Sequence, residues 1–103
     1  MIIYEVNLNI NREIYSEYKL WLMDHAKEML QFPGFIQATL LKQEQDNVSE
    51  QEKLTIQYQL ESREDLEKYF IEFAPKMREE GIKRFKDKFS ATRRVFKVQD
   101  ILK

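Results

Sequence analysis

The chain contains no cysteine. That excludes a disulfide framework and every thiolate, whether as nucleophile or as metal ligand. Histidine is nearly as scarce, with His25 alone. A zinc site built on several histidines cannot be assembled, and neither metal nor cofactor is expected. Gly34 and Gly81 are the only glycines, too few for a loop that cradles phosphate. No apolar run approaches the roughly 20 residues that span a membrane. The start, Met1-Ile2-Ile3-Tyr4-Glu5, has no basic stretch ahead of its apolar residues. No signal peptide is therefore expected, and the cytoplasm is the expected location.

What is present is an ordinary globular composition, 43% hydrophobic and 34% charged over 103 residues. That length suits one domain, residues 1–103, and is too short for two. The net charge of −1 conceals an asymmetry. Residues 1–82 carry nine Lys/Arg against sixteen Asp/Glu, whereas residues 83–103 carry eight against two. A basic end on an acidic body is a candidate anion or nucleic-acid surface. It is equally a solvated face that attracts the acidic part of the same molecule or of a partner subunit.

Hydrophobic periodicity supplies the elements. Ile2, Tyr4, Val6, Leu8 and Ile10 alternate with polar residues, which predicts a strand with one buried face. Asn11 stands where a helix cap belongs. Ile14, Tyr18, Trp21, Leu22, His25 and Met29 form one stripe of a helix over residues 12–31, ended by Pro33-Gly34. A second strand is expected at 35–43, a polar hairpin loop at 44–52 and a third strand at 53–61. Ser62 and Asp65 open a second helix over 63–85 in the manner of a capping box. Its expected inward residues are Leu66, Tyr69, Phe70, Phe73, Met77, Ile82 and Phe85, with a kink or break at Pro75. A last strand covers 90–99. The order β-α-β-β-α-β is that of a ferredoxin-like α+β fold, a four-stranded antiparallel sheet with two helices on one face. The uncovered face carries Glu5, Asn7, Asn9, Thr55, Gln57 and Gln59. It suits either solvent or a second sheet in a homodimer.

Several segments together resemble the bacterial domain-of-unknown-function family 4286. They are Met1-Ile2-Ile3-Tyr4-Glu5-Val6, Trp21-Leu22 with His25 and Met29-Leu30, Pro33-Gly34-Phe35, Ala74-Pro75, Arg78 with Gly81 and Arg84-Phe85, and Phe89-Ser90-Ala91 with Arg93-Arg94-Val95. This family is similar to the dimeric α/β-barrel superfamily, which includes antibiotic-biosynthesis and haem-degrading monooxygenases. The resemblance implies a homodimer with a pocket between the sheet and helices of each subunit, and no particular activity. Members often place a histidine before the Ala-Pro of the second helix, where this chain has Phe73. Haem-degrading relatives place an asparagine mid-strand, in the region of Asn7, and a histidine ligand on the second helix; the register of Asn7 favours the uncovered face rather than the helix face. Residues 63–85 contain no histidine, and Tyr69 is a weak substitute, which counts against haem.

His25 is the candidate catalytic group, since imidazole titrates near neutral pH. The alternative is a histidine held by a backbone carbonyl or carboxylate for packing. Trp21 and Met29 flank it and either line a ligand pocket or belong to the core. Arg93 and Arg94 are adjacent on a strand, so they point to opposite faces. One of them faces the helices or the barrel interior and needs a carboxylate or bound anion there, with Glu5 a candidate partner. The expected ligand-binding set is therefore Trp21, His25, Met29, Arg93 and Arg94. An RNA-recognition domain shares the element order but needs aromatics on the open sheet face. Glu5, Asn7, Thr55, Gln57 and Gln59 offer none, which argues against nucleic acid. Two readings remain: a homodimeric barrel protein binding a small anionic or aromatic ligand without catalysis, or a cofactor-independent monooxygenase acting on an aromatic substrate.

Overall fold

The computed structural model describes residues 1–44 and 51–103. The elements are β1 (Ile2–Asn11), α1 (Tyr15–Met29), β2 (Phe35–Lys42), β3 (Gln51–Leu60), α2 (Arg63–Glu72), α3 (Ala74–Phe85) and β4 (Phe89–Lys97). The strands form one antiparallel sheet in the order β2-β3-β1-β4. This is the ferredoxin-like α+β fold expected from the alternation of patterns, with three helices rather than two. Most of the expected hairpin loop falls on residues 45–50, outside the described residues. No helix among the described residues is long and apolar enough to cross a membrane.

β1 and β3 form the centre. Ile2, Tyr4, Val6 and Leu8 stand opposite Leu60, Tyr58, Ile56 and Leu54. Because strand side chains alternate faces, all eight point toward the helices. Glu5, Asn7 and Asn9 face the other way, opposite Gln57, Thr55 and Lys53. One core cluster joins Tyr4, Tyr58 and Leu60 to Leu66, Tyr69 and Met77. A second joins Leu8, Ile10 and Leu54 to Tyr18, Leu22 and Phe85.

α1 buries Tyr18, Leu22, Ala26 and Met29, while Ile14, Trp21 and His25 lie half-buried along the flank of that stripe. Its start differs from expectation. Asn11 makes no side-chain cap; it remains in the sheet opposite Gln51, and its N–H donates to the Lys88 carbonyl at 2.9 Å. A 3-10 turn over Arg12–Ile14 bridges the strand to the helix. Gly34 follows α1 with φ +84°, a conformation open to glycine. A Cβ there would also overlap the Asp65 carboxylate.

Ser62 caps α2 as expected, its hydroxyl oxygen accepting from the Asp65 N–H at 3.2 Å. The expected second helix is two helices. The chain breaks at Phe73 (φ −122°, ψ −33°), and Pro75 takes an N-terminal position of α3, where its missing N–H costs nothing. α3 buries Ala74, Met77, Gly81 and Phe85; Ile82, expected inward, is 57% exposed, because it lies five residues after Met77, about 140° round the helix from it. Ser62→Ala removes a cap and lowers stability by about 1 kcal/mol. Urea unfolding should register this as a lower midpoint with an unchanged m-value.

Candidate functional site

A cavity of about 300 Å³ lies between the sheet and the helices. Its walls come from every layer: Tyr4, Val6 and Leu8 on β1, Ile56 and Tyr58 on β3, Tyr18, Trp21, Leu22, His25 and Met29 on α1, and Tyr69 on α2. Met77, Arg78, Gly81 and Ile82 on α3, Lys86 beyond it, and Phe89, Ser90, Ala91 and Arg93 on β4 close the ring. Arg78, Ile82, Lys86, Ser90 and Arg93 are exposed, so the mouth opens between α3 and the edge strand β4.

Trp21 and His25 are one helical turn apart and stack with ring centroids 4.6 Å apart at 25°. Gly81 makes room for this pair, since a Cβ there would sit 3.0 Å from the Trp21 ring. Burial lowers the His25 pKa from 6.5 to about 4, so the imidazole is neutral at neutral pH. Its Nδ1 is buried and has no hydrogen-bond partner among the described residues. The carbonyl or carboxylate expected to hold it is therefore not found at that nitrogen. Tyr4, Tyr18, Tyr58 and Tyr69 bring phenol groups to the same space. The Tyr4 hydroxyl accepts from Arg78 Nη2 at 3.3 Å. The hydroxyls of Tyr18, Tyr58 and Tyr69 make no hydrogen bond to protein among the described residues. Burial pushes all three of those phenols well above their ordinary pKa, and they stay protonated.

Register decides the arginine pair. Arg93 stands opposite Val6 and lines the cavity, whereas Arg94 stands opposite Glu5 on the open face. Arg94 donates to Glu5 Oε2 from Nε at 2.8 Å and from Nη2 at 2.7 Å. Asn7 Nδ2 and Gln57 Nε2 donate to the same carboxylate, each at 2.9 Å, and Thr55 Oγ1 donates to Asn7 Oδ1 at 2.7 Å. These bonds, those from Asn7 and Gln57 foremost, hold the Glu5 pKa below its ordinary value. The Glu5 residue is 4% exposed, covered by its neighbours' side chains on a face that none of the described helices covers. Asn7 thus belongs to the open face and is committed to Glu5 and Thr55.

Of the residues singled out in the sequence, Trp21, His25, Met29 and Arg93 surround one cavity, and Arg94 does not reach it. Among the described residues no group of three or more His, Asp or Glu could hold a metal. The sequence matches the family described as Domain of unknown function (DUF4286) over residues 1–99. The chain belongs to this family. No curated protein matches it. The DUF4286 chain is similar in fold to a Deinococcus radiodurans protein assigned as an antibiotic biosynthesis monooxygenase, with TM-score 0.76 and 12% identity, over 100% of this chain and 97% of that one. A variant of SnoaB, a cofactor-independent oxygenase from Streptomyces nogalater, gives TM-score 0.74 and 13% identity over 98% and 96% of the two chains. A dimeric ferredoxin-like protein from an uncultured marine organism gives TM-score 0.68 and 18% identity over the whole of both chains.

In this DUF4286 chain the cavity also takes in the phenols of Tyr4, Tyr18 and Tyr58, with Arg78, Gly81 and Lys86, none of which the sequence pattern marks as a site residue; Tyr69, weighed there only against haem, joins them. Strand alternation places Tyr4 inward but does not say whether its hydroxyl meets core or cavity. The neutral state of His25 has a measurable cost in acid. The unfolded chain takes up this proton near pH 6.5 and the folded state only near pH 4, so stability falls as pH drops through that window. Replacing the imidazole in His25→Phe removes its share of the slope. Urea melts at pH 7 and pH 4.5 should show the native protein losing more stability than the variant; equal losses would place His25 in contact with water.

Proposed function

We propose that this protein is a homodimeric α/β barrel whose subunits each bind a small aromatic or anionic molecule between sheet and helices, without catalysing its conversion. The observation that carries this is the cavity itself, which joins Trp21, His25, Met29 and Arg93 in one space with mostly apolar walls. Such a space with few polar groups is the usual form of a small-molecule site. An aromatic ring fits against the Trp21–His25 stack. The hydroxyls of Tyr18, Tyr58 and Tyr69 are available to its polar substituents.

The dimer rests on the open face. Around the buried Glu5 network, Leu41 is 42% and Phe96 41% exposed, and a second sheet would cover both. A neighbour of the same fold is described as dimeric. Sedimentation should give twice the chain mass at micromolar concentration, and a monomer would overturn the barrel.

A second reading is cofactor-independent oxygenation of an electron-rich aromatic, with His25 taking the substrate's proton and molecular oxygen as oxidant. It is favoured by the likeness to proteins named as oxygenases. A pKa of about 4 makes His25 a poor base at neutral pH, which is why binding is preferred. Trp21 is the only tryptophan, so its fluorescence reports the site directly. Naphthol should quench Trp21 emission and raise the melting temperature, with no oxygen uptake. His25→Ala should weaken that binding about tenfold through loss of the stacking surface. Oxygen uptake abolished in His25→Ala would establish the enzyme reading instead, and no response of Trp21 to naphthol or naphthoate would end both.

A further inference from the structure

The basic segment from 83 to 94 divides in two. Lys83 pairs with Glu79 at 3.0 Å, Arg84 with Glu17 at 3.1 Å, Lys88 with Glu13 at 3.1 Å and Arg94 with Glu5 at 2.7 Å. Lys86 and Arg93 have no carboxylate within ion-pair distance among the described residues, and these two line the cavity. The third cation of the lining, Arg78, also has no carboxylate within ion-pair distance among the described residues; it donates to the Tyr4 hydroxyl and lies over the Phe70 ring at 5.8 Å. Among the described residues no Asp or Glu contributes to the cavity wall. Three cations from α3, the α3–β4 corner and β4 thus converge on a mouth to which the described residues bring no counter-charge.

We propose that the ligand is an aromatic acid, bound with its ring inside the cavity and its single carboxylate at the mouth between Arg93, Lys86 and Arg78. This rests on the binding reading above and names the class of molecule for the same site. The orientation follows from desolvation. The interior offers a neutral imidazole, protonated phenols and apolar side chains, and a carboxylate buried there would lose its water without gaining a charge partner. At the mouth it keeps solvent on one side and gains charge-assisted hydrogen bonds on the other. A cavity of about 300 Å³ suits a body of one or two fused rings.

Two further observations agree. The positive charges of Arg93 and Arg78 both act on the Tyr69 phenol, and that of Arg93 also acts on Tyr18, so these charges bear on the interior as well as on solvent. Lys86 has φ +55° and ψ −126°, a backbone conformation that L side chains rarely adopt. Backbone strain of this kind persists where the surrounding structure imposes it and concentrates at ligand sites.

The test compares naphthoate with the uncharged alcohol of the same ring system, by Trp21 quenching and by calorimetry. Naphthoate should bind about tenfold more tightly, the worth of a charge-assisted contact, and added salt should erode the difference. The double variant Arg93→Gln/Lys86→Gln should abolish the preference while leaving the alcohol's affinity within about twofold. Arg93→Lys, which keeps the charge, should retain most of it. Equal binding of the two probes, or a preference that survives the double variant, overturns the acid proposal and leaves the cavity reading intact. If neither probe binds, the cavity reading fails and the acid with it.

Discussion

The register between β1 and β3 is the constraint on which the rest depends. With Tyr4 opposite Tyr58 and Val6 opposite Ile56, the helix side of the sheet is apolar and phenolic, and the other side is amide and carboxylate. A slip of one residue would drive Glu5 and Asn7 under the helices and expose Tyr4 and Leu8. The cost would be unpaired polar groups inside and lost apolar burial outside at once. This alternation extends across the sheet to its edge. It assigns Arg93 to the cavity and Arg94 to Glu5, so two identical neighbours in sequence acquire unrelated surroundings.

The helices translate that sheet chemistry into a hollow rather than a solid core. Large rings carry much of the packing: Tyr18 meets Phe85 at 4.9 Å and Phe89 at 5.0 Å, and Phe32 stacks on Phe73 at 4.2 Å. Rings of this size leave space between them unless smaller side chains fill it, and along this wall α3 supplies Gly81 instead. The position of Gly81 brings this about: it lies one turn beyond Met77 on the buried stripe of α3 and faces Trp21, while Ile82, about 100° further round the helix, lies at the rim.

The fold was legible because its signals repeat. Period-two alternation on β1 and β3, the stripe on α1, the Ser62 cap and the Pro33-Gly34 stop each point to the same βαββαβ order, and each has a local physical cause. The start of α1 was misplaced because Asn11 is held by the sheet, a tertiary contact that cap preference does not include. The site was legible only in part. Trp21, His25 and Met29 share a helical face, so spacing alone placed them together. Lys86 was not legible, because its position depends on a backbone turn and its neighbours belong to other elements. Which arginine faced inward awaited the register, since either parity of β4 satisfies the sequence.

β1 and β3 each pair on both sides, whereas β4 pairs with β1 alone. The mouth of the cavity is therefore built from the edge strand and from the exposed side of α3, and the deep wall from the centre. Substitutions at Ile82, Ser90 or Arg93 disturb little of the packing that holds the sheet together, while changes at Tyr4 or Tyr58 disturb much of it. The cavity mouth and the packing that sustains folding stability thus lie in separate parts of the molecule. Within such an architecture the entrance can be rewritten by mutation, one exposed residue at a time, while the interior behind it is inherited unchanged.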